Sequence, residues 1–183
     1  MCLGLNKEWS AISGQLSIMK THHAYIGLGS NLGNRLESCR NAIEALAALP
    51  TCTVLQTSSF YETTPVGLVE QAAFINGVVL LETAKDAHWL LRQMLAIENT
   101  FGRIRTLKWG PRSIDLDLLI FGDLIIDLPD LSVPHPLLHE RRFVLEPLNE
   151  IAPDLRHPCL DKTVAALLGD LEDGHQRVEV VVS

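Results

Sequence analysis

Between His23 and Phe121 the hydrophobic period switches between that of strands and that of helices in a fixed order, and this order restricts the fold more than any other property of the chain. His23 to Leu28 reads as a first strand. The loop Gly29-Ser30-Asn31-Leu32-Gly33 then leads to Asn34, placed to cap a helix with Glu37 three residues on. Leu36, Cys39, Ile43, Leu46 and Leu49 recur at helical spacing until Pro50 ends the run. Strand signals follow at Thr53 to Tyr61 and Phe74 to Glu82, on either side of a loop containing Pro65 and Gly67. A second helix from about Asp86 places Leu90, Met94, Ile97 and Phe101 on one face and stops at Gly102. Ser113 to Phe121 reads as a buried strand, Gly122-Asp123 as a tight turn, and Leu124 to Asp127 as a hairpin partner of that strand. Shorter helices are predicted near His139 to Asn149 and Thr163 to Leu171.

Strand, helix, strand, strand, helix, strand is the order of a split βαβ unit. The fold class expected is therefore α+β, a ferredoxin-like antiparallel sheet with helices packed on one face. A chain of 183 residues with 47% hydrophobic content is long enough for one domain with its own core, assigned here to residues 21–172. Residues 1–20 show no sustained period and contain a second methionine, Met19, so they are expected to be a poorly ordered extension, and 173–183 a C-terminal tail. Cys2, Cys39, Cys52 and Cys159 lie far apart with no CxxC pair, which suggests neither a zinc site nor a disulfide framework. No apolar run approaches the roughly 18 residues of a membrane span, and Lys7 and Glu8 interrupt any signal-peptide core, so a cytoplasmic protein is expected.

The formal charge of −7 argues against a protein that coats nucleic acid, because that affinity comes from Lys and Arg. One stretch departs from the average. Arg103, Arg105, Lys108 and Arg112 stand together with no acidic residue between them, which points to a small anion. Trp109, Gly110 and Pro111 interrupt the run, an unusual insertion for a loop that is merely solvated. Immediately downstream, Asp115 and Asp117 sit two apart in a strand, so both side chains point to one face, roughly 7 Å apart at about 3.3 Å per residue. The alternate residues Ile114, Leu116, Leu118 and Ile120 are all apolar. Paired carboxylates on a rigid strand can hold hard cations against phosphate oxygens, and the adjacent arginines suit the polyphosphate such a complex needs. An exposed face that happens to carry two acids is the plainer alternative.

Other candidates are weaker when taken singly. The stretch GLGSNLGNR lacks the lysine of a P-loop and the third glycine of a dinucleotide fingerprint, so it reads as a capped strand-to-helix turn. Phe74 and Phe143 suit a core as well as a stack, Asn76 could bond backbone within a strand, and spacing assigns no role to His135 between Pro134 and Pro136.

Five separated stretches in a fixed order carry more information than any one of them. Tyr25-Ile26-Gly27-Leu28-Gly29-Ser30-Asn31-Leu32-Gly33, Ser59-Phe60-Tyr61-Glu62-Thr63-Thr64-Pro65-Val66-Gly67, Gly102-Arg103-Ile104-Arg105, Trp109-Gly110-Pro111-Arg112-Ser113-Ile114-Asp115-Leu116-Asp117 and Val133-Pro134-His135-Pro136 resemble the 6-hydroxymethyl-7,8-dihydropterin pyrophosphokinases of folate biosynthesis, from about Ala24 to Leu171. The resemblance implies transfer of a pyrophosphoryl group from ATP to the pterin's hydroxymethyl oxygen, with AMP released. It also implies that Asp115 and Asp117 bind two magnesium ions, that Arg103 and Arg112 act in catalysis, and that Arg103, Arg105 and Arg112 contact phosphates. Trp109 would close over the site, with Glu98, His135 and Arg141 on the ATP side. Phe74 and Phe143 would sandwich the pterin, while Asn76 and the backbone from Thr63 through Thr64 to Val66 would read its edge. Residues 103–112 would form an open, mobile loop that closes on both ligands. ATP and the pterin are the partners implied, with no nucleic acid or membrane, and the chain is expected to be a monomer or weak dimer. The chain departs from the family pattern at Gln71-Ala72, where relatives commonly carry Gln-Pro, which should leave the pterin loop less stiff. Two further readings fit the strand order. A metal-dependent nucleotidyltransferase or cyclase would attack the α-phosphorus and release pyrophosphate, and an RNA-binding domain would need the aromatic RNP1 pattern that this chain lacks.

Overall fold

The computed structural model describes residues 20–65, 71–102, 112–172 and 176–182. The elements are β1 (His22–Ser30), α1 (Arg35–Ala47), β2 (Cys52–Thr57), β3 (Phe60–Thr63), β4 (Phe74–Thr83), α2 (Ala87–Thr100), β5 (Asp115–Phe121), β6 (Ile126–Leu128), β7 (Leu131–Val133), a 3₁₀ turn at Leu138–Glu140, α3 (Arg142–Ile151), α4 (Val164–Asp170) and β8 (Val178–Val182). The helix starts follow from local chemistry. Asn34 caps α1 by accepting from Glu37 N, Asp86 caps α2 through Trp89 N, and Thr163 caps α4 through Ala166 N. Gly102, just beyond α2, takes a φ of +72°, the left-handed stop that the sequence predicts.

The main sheet is antiparallel and runs β5-β1-β4-β3-β8, with β2 beside β4. Its β1–β4 ladder extends from His22 opposite Thr83 to Ser30 opposite Ile75. With β2 and β3 counted as one interrupted strand, the order is that of the expected split βαβ. The single strand predicted over Thr53 to Tyr61 breaks at Ser58, whose hydroxyl oxygen accepts from Val78 N at 2.9 Å and so takes the place of a ladder carbonyl.

Helices cover both faces of the sheet. Under α1 and α2, Ile26, Leu28, Leu81, Leu116 and Leu118 pack with Leu46, Leu90 and Met94. On the opposite face Tyr25, Val78, Leu119 and Ile120 pack with Leu138, Val144, Leu145, Leu148 and Leu167. The expected one-sided arrangement is corrected accordingly, because α3 and α4 carry apolar stripes of their own that the sheet must bury.

Three further elements differ from the expectation. Ile26 pairs with Leu118 and Tyr25 with Ile120, so Leu119 is an extra residue in a bulge. Ile120 therefore leaves the row of Ile114, Leu116 and Leu118 and joins the other cluster. Leu124 to Asp127 does not pair with β5; β6 instead pairs with β7 in a separate two-stranded sheet. A two-residue type I′ turn needs positive φ at both central residues, and of the pair only Gly122 has it, at +51°. The segment read as a C-terminal tail adds a strand to the sheet, with Tyr61 opposite Val180 and Thr63 opposite Val178. Among the described residues no helix is long and apolar enough to cross a membrane.

Candidate active site

β5 presents Asp115 and Asp117 on the face away from α1 and α2, with Leu116 buried between them. Directly opposite on β1 stand Gly29 and Gly27, and residues opposite one another in an antiparallel pair share a face. Neither glycine puts a side chain beside the carboxylates. The space is already in use, since a Cβ at Gly29 would lie 2.8 Å from Asn76 Oδ1 and one at Gly27 3.4 Å from Leu119 Cδ1. The glycines thus form the floor of a cavity of about 300 Å³ whose lining includes Thr63, Thr64, Phe74, Asn76, Arg112, Asp115, Asp117, Arg141 and Phe143. Nine residues proposed from the sequence, scattered over some eighty positions, meet there.

Part of the lining is charged. Arg112 pairs with Asp115, and Arg141 Nη1 lies 3.5 Å from Asp117, whose side chain keeps 38% of its exposure. Two aromatic rings line the cavity as well, Phe74 at the start of β4 and Phe143 in the first turn of α3. The Arg141 guanidinium sits 5.6 Å from the Phe143 ring centroid, linking the charged and aromatic parts of the lining by a cation–π contact. Asn76 donates to Thr63 Oγ1 at 2.7 Å, so its amide is fixed by a side chain on the neighbouring strand.

His135 adjoins this arrangement without appearing in the lining. Its N–H donates to Leu119 O, and its Nδ1 accepts from Leu137 N at 3.1 Å. Burial and the nearby Arg141 outweigh the opposing pull of Asp115 and depress its pKa to about 4. The ring is neutral at pH 7, and with Nδ1 acting as acceptor the proton rests on Nε2. Glu98 lies elsewhere. It is 1% exposed, and its Oε1 accepts from Leu116 N at 2.8 Å, so the structure places it under β5 as a brace of the strand that carries the aspartates, away from the cavity. Arg103, Arg105, Lys108 and Trp109, the loop closure expected of 103–112, and Val66 lie outside the described residues apart from Arg112. Among the described residues no three His, Cys, Asp or Glu side chains cluster as a metal cage.

Two residues of the turn after β1 went unnoticed in the sequence. Asn31, 3% exposed, accepts from Arg112 N at 2.7 Å and donates to Gln71 Oε1 at 3.0 Å. Arg35 donates to the Ala73 carbonyl at 2.6 Å and pairs with Glu62 at 2.8 Å. Both stand inside the GLGSNLGNR stretch, and its failure as a phosphate loop hid its use as a brace.

A ferredoxin-like sheet whose open face brings carboxylates, arginines and aromatic rings into one cavity defines a small-molecule-binding protein of the α+β class. Residues 25–153 match the family model described as 7,8-dihydro-6-hydroxymethylpterin-pyrophosphokinase. The chain belongs to that family. It is 45% identical over 134 residues to the 2-amino-4-hydroxy-6-hydroxymethyldihydropteridine pyrophosphokinase of Pseudomonas aeruginosa, covering 73% of this chain and 83% of that one. Against the Bacillus subtilis protein of the same name it is 47% identical over 128 residues, 70% of this chain and 77% of the other. The fold also resembles a solved Plasmodium falciparum HPPK-DHPS triple mutant, with a TM-score of 0.66 at 18% identity over 82% of this chain. This chain spans only 43% of that longer protein, and the likeness bears on the fold alone.

Proposed function

We propose that the family's reaction takes place in this cavity, with the triphosphate at the Asp115–Asp117 end and the pterin between Phe74 and Phe143. The reaction is pyrophosphoryl transfer from ATP to 6-hydroxymethyl-7,8-dihydropterin in folate biosynthesis. The single observation that carries the placement is that β5 aims two carboxylates into the same cavity that two aromatic rings line.

The donor set fits magnesium. Asp115 and Asp117 supply hard carboxylate oxygens, and since no three acidic, imidazole or thiol groups among the described residues cluster as a metal cage, phosphate oxygens and water would complete the shell, as this ion prefers. When bound, two such ions would neutralise the triphosphate and orient the hydroxymethyl oxygen for attack. The residues of the chain do the rest. Arg112 and Arg141 pair with the two aspartates and stand ready to move to phosphate oxygens as the carboxylates take up cations. His135 contributes a neutral Nε2–H donor, which adds no charge to repel a cation. Asn76 and the backbone at Thr63 and Thr64 would read the pterin edge. The hydroxymethyl oxygen forms a bond to the β-phosphorus, the α–β bridging bond breaks, and AMP leaves with the bridging oxygen while the hydroxyl gives up its proton. Catalysis by positioning and charge neutralisation suffices for such a step.

Phosphorus NMR of the protein incubated with ATP, magnesium and the pterin tests this reading. AMP and the pterin diphosphate are the expected products. Release of inorganic pyrophosphate would mean attack at the α-phosphorus and would assign the site to nucleotidyl transfer instead.

A further inference from the structure

The segment entering β4 lacks the proline that would fix its backbone, yet it carries Phe74 into the cavity. Two side chains from the turn after β1 hold it. Arg35, the first residue of α1, donates through Nη1 to the Ala73 carbonyl at 2.6 Å, one residue before Phe74. The same guanidinium nitrogen lies 2.8 Å from Glu62 Oε1 on β3, the strand that pairs with β4 through Glu62 opposite Ile75 and Thr63 opposite Phe74. Asn31 adds a second pin two residues upstream of Ala73, by donating to Gln71 Oε1 at 3.0 Å.

We propose that Arg35 is a positioning residue for the pterin. Through the Ala73 carbonyl and Glu62 it fixes the backbone from which Phe74 forms one wall of the cavity, supplying with a charge-assisted hydrogen bond the stiffness that Ala72 does not. This rests on the placement of the pterin between Phe74 and Phe143 proposed above. Arg35 is absent from the cavity lining, and the role proposed for it runs through the wall. The geometry separates the two substrates. Phe74 bears on the flat ring, while the triphosphate end is held by Arg112, Arg141, Asp115 and Asp117.

The test is calorimetric titration of the full chain with the pterin in the presence of magnesium and a non-hydrolysable ATP analogue, and with the analogue alone. Arg35→Met keeps the aliphatic stem and removes the donor. Its pterin Kd should rise roughly 5- to 20-fold, the range of one hydrogen bond from a charged group, while its Kd for the analogue stays within about twofold of wild type. Arg35→Lys restores a donor within reach of the Ala73 carbonyl and should recover most of the pterin affinity. Glu62→Ala leaves the Ala73 bond in place but frees the guanidinium to swing, and should give a smaller loss, which tests the idea through a residue outside the helix. Wild-type pterin affinity in Arg35→Met, or equal losses for pterin and analogue, would overturn the positioning role. Failure of the wild-type chain itself to bind the pterin would instead sink the site placement, and the role of Arg35 with it.

Discussion

Along β5, Leu116 and Leu118 turn to the α1/α2 face and are almost fully buried, whereas Asp115 and Asp117, each one residue away, turn to the other face and keep contact with solvent. β1 repeats the contrast with Ala24, Ile26 and Leu28 on the packed side and Gly27 and Gly29 on the open side. The packed face is filled by branched aliphatic side chains that interlock with two helices. The open face is split along its length: at the Tyr25, Val78 and Leu119 end α3 and α4 close it, and at the Gly29, Asn76 and Asp115 end side chains have been withdrawn. Stability and chemistry are thus divided between the faces of one sheet, and a substitution should report which face it belongs to.

Asp115→Asn and Asp117→Asn should produce the largest change, a loss of kcat of at least about a hundredfold with the melting temperature near that of wild type, since a neutral amide is a poor ligand for a hard cation. Steady-state assays beside calorimetric melts read both quantities. Leu118→Ala, next to Asp117 but on the packed face, should do the reverse: it should cost about 2–4 kcal/mol of stability by leaving a cavity, while turnover per folded molecule is kept. A loss of turnover equal to that of the Asp variants, at temperatures where Leu118→Ala is folded, would break the division. Phe143→Ala should weaken pterin binding by roughly tenfold and leave the ATP analogue bound almost as before, because it removes one wall of a stack. Equal losses of both ligands would return Phe143 to the core.

The smallest effect concerns His135. Its pKa falls to about 4 in the fold from an ordinary value of 6.5, so between those values the unfolded chain binds a proton that the folded chain refuses. Its contribution is therefore intact above about pH 6.5, is lost as the pH falls toward 4, and is flat below that. His157 is depressed too, by burial and His139, and acts in the same direction. Replacing His135 with Gln should flatten part of the acid side of the melting-temperature profile, and an unchanged slope would show that His135 is not held neutral.

The parts of this division that were legible in the sequence are those set by local chemistry. Asn34, Asp86 and Gly102 mark helix ends by capping and left-handed backbone, and the pair Asp115 and Asp117 declares its shared face by a spacing of two. What stayed hidden depends on partners distant in the chain. The bulge at Leu119 exists only in register with Tyr25 and Ile26, so Ile120 could not be assigned to the right face from alternation alone. Val178 to Val182 has strong strand propensity, but its place beside β3 is fixed by pairing across more than a hundred residues. Asn31 and Arg35 act on backbone groups of Arg112 and Ala73, and no side-chain pattern records that. Glu98 likewise accepts from a backbone group, Leu116 N, a contact that spacing in the sequence does not announce.

Counting manganese bound per chain in the presence of excess non-hydrolysable ATP analogue, by spin resonance of the free ion, asks directly whether the Asp115–Asp117 face is where metal and triphosphate meet. Wild type should hold about two equivalents, matching a pair of ions between two carboxylates and a triphosphate, and the double variant Asp115→Asn/Asp117→Asn should hold none beyond what the free nucleotide carries. The same two equivalents on the double variant would place the metals elsewhere and contradict the assignment of this face.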